Sequence, residues 1–288
     1  MVPTDDQETQ LGLLLKIDPS EPKNQPCPLN GELYTQTEAN AWAERRPLAV
    51  MIENSPDARP QSGLSSADVV FEAVAEGGVT RFMGLFYCGV QKQDTTLAPI
   101  RSARTYFVDW ASGFNRPLYV HVGGANLPGP ANAIGQIADY GWALENDLNQ
   151  FSIGYPTFVR NESRLDREVA TEHTMETTTE KLWAVAEDRD WTNMSPELLI
   201  GRTVIPAGDW NDGYDGWSFA EPTGSAGRVQ SLAYDFWSGY NQYSVKWQYD
   251  SATGMYKRFL AGEHNTALNT NEQIEASAVV VLLTTEKG

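Results

Sequence analysis

With 288 residues, 41% of them apolar, the chain has material for one large core or two moderate ones, which excludes wholesale disorder. Its 38 acidic and 21 basic residues leave a formal charge of −17, a surface that repels phosphate backbones and argues against a nucleic-acid partner. No apolar run reaches the roughly 18 residues of a membrane helix, and three histidines and two cysteines argue against a metal centre, a metal cofactor or a disulfide scaffold.

Residues 1–28 mix prolines with Asp, Glu, Gln and Lys around a short LGLLL run (11–15) and read as an irregular leader that packs little. No signal peptide is visible in it. Cys27, between prolines, reads as an exposed thiol, and Cys88, in an apolar strand, as a core thiol. The run PLAVMIEN (47–54) has the length and flanks of a buried strand. In 68–88 two apolar-rich runs flank Gly77-Gly78, a hairpin signal. With Glu76 opposite Val79 and strict alternation, Glu72, Glu76 and Arg81 share one face, while Phe71, Ala73, Phe82 and Phe86 take the other.

After Pro99 the run to Gly113 suits a helix whose first turn carries Arg101 and Arg104. Cations there oppose the helix dipole and call for an anion or an acidic partner. PLYVHVGG (117–124) reads as a strand bearing His121, followed by a Gly-Pro loop and a helix near 131–141, an order that can aim backbone N–H groups at an anion. FSIGYPTFV (151–159) looks like a strand. Thr177 and Glu180 read as a capping box for a helix ending near Asp188. Strands alternating with helices over 47–190 predict an α/β domain with a mixed sheet.

From 191 the chain turns to Trp, Gly, Asp, Tyr and Asn, with strand-like runs at 228–237, 243–249, 255–260 and 278–284 and a turn at 250–254. The expected organisation is a leader (1–28), an α/β domain (29–190) and a smaller β-rich C-terminal domain (191–288) that ends abruptly after its last strand and reads as truncated. Five of the nine tryptophans fall after residue 190 and suit a small β core, or a surface for a protein partner.

The acidity is uneven. Residues 95–138 hold Arg101, Arg104 and Arg116 against Asp109 alone, whereas 139–190 holds twelve acids against five bases. Glu72, Glu76, Arg81, Arg101, Arg104 and His121 therefore form the sharpest candidate constellation, since guanidinium groups stabilise an anion while an imidazole or carboxylate moves a proton. An ion-pair network on a solvent-facing sheet is the competing reading. His173, in EHTME, reads either as a site residue or as a loop pin, and His264 as a turn residue. No GxSxG, HExxH, Rossmann or P-loop pattern is present.

The segments ARPQSGLSSADVVFEAVAEGGVTRFMGLFY (58–87), APIRSARTYFVDW (98–110), PLYVHVGG (117–124) and ATEHTM (170–175) together resemble the YerB-like family of bacterial lipoproteins, a domain-of-unknown-function family. The resemblance covers about 29–288. It implies an α/β domain with a smaller second domain, export across the cytoplasmic membrane and often a lipid anchor, and it supplies no reaction. No lipobox is visible in this chain, so any membrane attachment would need an anchor not seen here. Inside the matching segments lie Arg59, Gln61, Ser62, Gly63, Glu72, Glu76, Arg81, Arg101, Arg104, His121, Gly123, Gly124 and His173.

The expectation is an extracytoplasmic envelope protein with an anion pocket. Arg101 and Arg104 clamp a phosphate or carboxylate, Gly123 and Gly124 offer backbone donors, Glu72 and Glu76 orient the arginines, and His121 and His173 line the mouth; Arg59, Gln61, Ser62 and Arg81 complete the ligand-binding set. A short anionic wall glycan or peptide is the ligand class. Two alternatives stand beside it: a hydrolase or transferase using His121, His173 or Glu72 as acid/base in the same pocket, and a module that binds another envelope protein.

Overall fold

The structure is a computed structural model, and it describes residues 14–200, 202–219 and 229–284. Its centre is a five-stranded sheet. In chain order the elements around it are α1 (Gln36–Ala43), β1 (Leu48–Glu53), β2 (Val69–Glu76), β3 (Val79–Phe86), α2 (Thr105–Ser112), β4 (Leu118–His121), α3 (Ala133–Asp139), β5 (Asp147–Asn149) and α4 (Thr179–Asp188). The strand order is β2-β3-β1-β4-β5, with β1, β4 and β5 parallel, β3 antiparallel to β1 and β2 antiparallel to β3. The sheet is therefore mixed, as the alternation of apolar strands and helices predicts.

Every residue of β1 is buried, because the strand is central and covered on both faces. One face packs Ala49, Met51, Met83 and Leu85 against Trp42 of α1, Phe107 and Ala111 of α2 and Ile137 of α3. The other packs Val50, Ile52, Phe82 and Val120 against Leu182, Trp183 and Ala186 of α4. A small antiparallel sheet is formed by Thr96–Leu97, Met175–Thr178 and Val159–Arg160.

Several local expectations change. A β-bulge between Val74 and Glu76 shifts the hairpin register, so Ala73, not Val74, faces Arg81, and Glu72 faces Phe82. One extra residue flips everything beyond it. Glu72 and Glu76 consequently lie on opposite faces of the sheet. The segment 100–103 is extended and not helical: Arg101 N–H donates to Met51 O, Val122 N–H to Arg101 O, and Ala103 N–H to Gly123 O. It prolongs the sheet between the ends of β1 and β4, and backbone groups satisfied there cannot also enter a helix. The helix starts only at Thr105, with Arg104 at its N-cap. Residues 150–153 form one helical turn, not a strand, and α4 is capped by Thr178, whose hydroxyl accepts from Lys181 N–H, while Thr177 donates its hydroxyl to Thr157 O.

The cysteines overturn their sequence reading most plainly. Cys27 and Cys88 form a disulfide, with Cα atoms 6.0 Å apart, and both are buried. The end of the supposed leader is thus tied into the core: Gln25–Pro26 pairs with Leu33–Tyr34, and Leu29 is enclosed. Asp68 sits beside the bridge and accepts the N–H groups of Tyr87, Cys88 and Gly89. Burial pushes its carboxyl up to about 7 against the pull of those three donors. Cys27, Asp68 and Cys88 bring their donor atoms within 4.8 Å of one another, but sulfurs joined in a disulfide offer no thiolate to a metal. The LGLLL run lies mostly outside the described residues.

Beyond α4 the chain first returns to the α/β domain, where Trp210 is buried and donates its indole N–H to Tyr87 Oη at 3.1 Å. The β-rich part follows as β6 (Ser231–Tyr234), β7 (Val245–Asp250) and β8 (Met255–Leu260), an antiparallel meander. Arg228, the first residue of the run read as β6, lies outside the described residues. Residues 278–284, read as a strand, join no ladder among the described residues. No described helix is long and apolar enough to cross a membrane.

Candidate functional site

In open α/β sheets ligands gather beyond the carboxyl ends of parallel strands, because loops diverge there while the strands hold their starting points. Here that end presents Glu53 on β1, His121 and the Val122–Gly124 turn on β4, and Asn149 with Phe151 after β5. The inserted segment 100–103 runs across it. A cleft of about 270 Å³ opens at this point, with Arg101, Ser102, Gly123 and Gly124 along its floor and Phe151, Arg160 and Glu172 at its rim.

Arg101 is the centre of the cleft. Its Nε lies 3.3 Å from Glu53 Oε2, and the same oxygen accepts the Nδ1–H of His173 at 2.8 Å. Glu53 is buried, so it anchors both side chains from behind and sets the direction of the arginine. The terminal amino groups of Arg101 make no hydrogen bond among the described residues, and the side chain is 26% exposed. Across the cleft Arg160 is fixed by donation to Thr171 O. Glu172 lines the same space, and its carboxyl is held below the usual range, first by a backbone hydrogen bond and then by the nearby charges of His173, Arg101 and Arg160. The hydroxyl of Ser102 makes no hydrogen bond among the described residues.

A clamp beside the cleft positions this floor. Glu76 takes a charge-assisted hydrogen bond from Arg81 at 2.9 Å and two from Arg104, and Arg81 also donates to Ser102 O at 2.8 Å. Arg81 is 2% exposed, and burial lowers its basicity. The guanidinium of Arg104 is used up by Glu76 and Ala103 O. These three residues fix the 102–104 backbone and do not face the ligand space.

The other sequence candidates scatter. Glu72 accepts from Asn54 at 3.0 Å, Thr80 at 2.8 Å and Arg258 of the C-terminal domain at 2.7 Å. It joins two domains and is no acid or base of the cleft. Arg59 donates to Asn54 O and Gln242 O and lies over the ring of Tyr243, and Gln61 donates to Glu53 O and Asn54 Oδ1. Ser62 pairs with Ala98 through its backbone.

His121 is completely enclosed, with Nδ1 2.7 Å from Gly123 O and Nε2 2.6 Å from Asp147 Oδ1. A carbonyl can only accept, so Nδ1 donates to Gly123 O, while Nε2 faces the Asp147 carboxylate. The histidine pins the Gly123 turn and does not reach the mouth. Gly123 has φ +55°, and a Cβ there would meet the Phe151 ring at 2.7 Å, so glycine is required. Its N–H is taken by Asn149 Oδ1 at 3.1 Å and is not a donor for a ligand. The helix beyond starts only at Ala133 and is capped by Asn132.

Of the sequence-selected residues the structure gathers Arg101, Gly123 and Gly124 in the cleft, with His173 one contact behind. Sequence reasoning missed Glu53, Asp147, Asn149, Phe151, Arg160 and Glu172. For Glu53 a signal existed, a carboxylate ending an otherwise wholly apolar strand.

Fold and cleft together define a two-domain protein, mixed α/β then β-rich, with an arginine-bearing cleft where its parallel strands end. Residues 31–192 match the family model "Protein of unknown function (DUF3048) N-terminal domain" and 233–288 match its C-terminal counterpart. The chain belongs to this family, as the resemblance of its four segments to YerB-like proteins implies. The "Putative lipoprotein YerB" of Bacillus subtilis (strain 168) is 42% identical over 134 residues, which is 46% of this chain and 38% of that protein. The matched stretch thus spans well under half of the relative. The crystal structure of YerB from Bacillus subtilis superposes with a TM-score of 0.64 at 28% identity, covering 88% of this chain and 72% of the other.

Proposed function

We propose that the protein is an extracytoplasmic, envelope-associated binding protein whose cleft takes a phosphate or carboxylate group between Arg101 and Arg160. The observation that carries this is Arg101: a guanidinium aimed by a buried carboxylate, with its terminal amino groups unpaired among the described residues, in a chain whose net charge is −17. A planar fork held at one edge keeps its other donors ready for a bidentate anion. The buried disulfide supports an oxidising compartment, and the relative named a lipoprotein supports the envelope. Binding is favoured over acid–base catalysis in this cleft because His121 is enclosed, Glu72 is engaged by Arg258, and His173 is turned to Glu53.

Titration calorimetry with inorganic phosphate and with D-lactate tests this. Arg101→Ala removes a charge-assisted contact and lowers affinity about 10- to 100-fold. Equal affinity in wild type and R101A would overturn the reading. Glu172→Gln removes a competing negative charge from the rim and should tighten anion binding by about two- to fivefold at low salt, fading as salt is raised. The same titrations at two ionic strengths check it.

A further inference from the structure

Beside the cationic centre, the cleft carries a flat apolar surface that an anion alone does not use. Phe151 is 76% exposed although it lies against the protein, for its ring edge sits where a Cβ on Gly123 would be. It is held there by Asn149, whose Oδ1 accepts both the Gly123 N–H and the Phe151 N–H. An aromatic ring tied to the cleft floor at its own backbone and open to solvent is a prepared platform.

We infer that the ligand is a carboxylate-bearing sugar, its ring stacked on Phe151 and its carboxylate on Arg101 and Arg160; this rests on the anion-binding reading above. The axial C–H groups of a pyranose present a weakly positive, apolar face, which suits the negative face of an aromatic ring. The Ser102 hydroxyl and Glu172 carboxylate are placed for sugar hydroxyls. About 270 Å³ is at the small end of ligand clefts, fitting one sugar residue with its substituent.

An extended acidic peptide fits less well. Strand-like capture of a peptide needs free main-chain donors and acceptors. Along this floor Ile100 N–H donates to Met175 O, Val122 N–H to Arg101 O, and Gly123 gives its N–H to Asn149 while its carbonyl accepts from Ala103. Besides the isolated N–H groups of Ser102 and Gly124, what remains are side-chain donors and one ring face, the elements of sugar recognition.

The test titrates the full chain with N-acetylmuramic acid, with N-acetylglucosamine as the same ring lacking the lactyl carboxylate, with D-lactate as the carboxylate lacking the ring, and with an acidic tripeptide. The acid sugar should bind about tenfold or more tighter than either half. In Phe151→Ala its affinity should fall to that of D-lactate while D-lactate binding itself is unchanged, and Phe151→Trp should retain it. Because Phe151 is exposed, F151A keeps the fold, and matching thermal melts confirm that. A tripeptide that binds as tightly as the acid sugar, or an F151A variant with undiminished sugar affinity, would overturn the inference while leaving anion binding intact. Failure of both D-lactate and the acid sugar to bind the wild type would remove the anion reading and this one together.

Discussion

Cys27→Ser with Cys88→Ser should cost about 4 kcal/mol of stability, the chain-entropy value for a loop of this length. The two cysteines stand 61 residues apart in sequence, and their bond closes a loop that contains α1, β1 and the whole β2–β3 hairpin. Nothing else ties the Gln25–Tyr34 hairpin to the end of β3 covalently. Both sulfurs belong to the core that holds Trp42, Tyr87 and Trp210, so the bond crosslinks a region already enclosed. Asp68 grips Tyr87, Cys88 and Gly89 from the other side, which keeps the β3 end ordered even when the bond is lost. Reduced wild type and the double serine variant should therefore show the same lowered denaturant midpoint with native-like near-ultraviolet spectra. A loss under about 1 kcal/mol in both would show that the folded core makes the bond redundant.

The second large effect is expected at Glu72→Ala. Its carboxylate is the shared acceptor for Arg258, Asn54 and Thr80, and Arg258 is only 3% exposed. Removing it strands a buried guanidinium whose remaining side-chain hydrogen-bond partner among the described residues is Asn265. Loss of one member of a buried ion pair costs about 3–5 kcal/mol, because the other charge stays desolvated. Glu72→Gln keeps an acceptor and should cost less. The diagnostic variant is Arg258→Met with Glu72→Ala, in which no charge is left behind: its unfolding free energy should exceed that expected from summing the two single losses. Strict additivity would mean that the two domains are not coupled through this pair.

Much of this fold could be read from residue patterns, and the misses have local causes. β1, the hairpin, β4 and α4 follow from apolar runs bounded by Gly, Pro and Asp. The bulge at the hairpin end does not, since Ala75 differs in no visible way from Ala73, yet it sends Glu72 to the domain interface and Glu76 to the arginine clamp. The basic neighbourhood singles out Arg101, but its setting is extended and not helical because Ile100–Ala103 finds ladder partners from distant strands. No local pattern announces such pairing. The cleft itself joins residues from positions 53, 101, 123, 151, 160 and 172, so only the packing of the three parallel strands beside the small antiparallel sheet brings them together. The disulfide is illegible for a similar reason: two cysteines 61 residues apart, one among prolines, carry no spacing signal.

Arg101 and Arg160 are proposed to hold an anion in this cleft. The most direct measurement is an amide chemical-shift titration of the isotope-labelled protein with D-lactate, in wild type and in R101A/R160A. Saturable shifts confined to Ser102, Val122, Gly123, Gly124 and Phe151, absent in the double variant, are expected. Shifts that never saturate, that appear elsewhere on the surface, or that persist unchanged without the two arginines would contradict it.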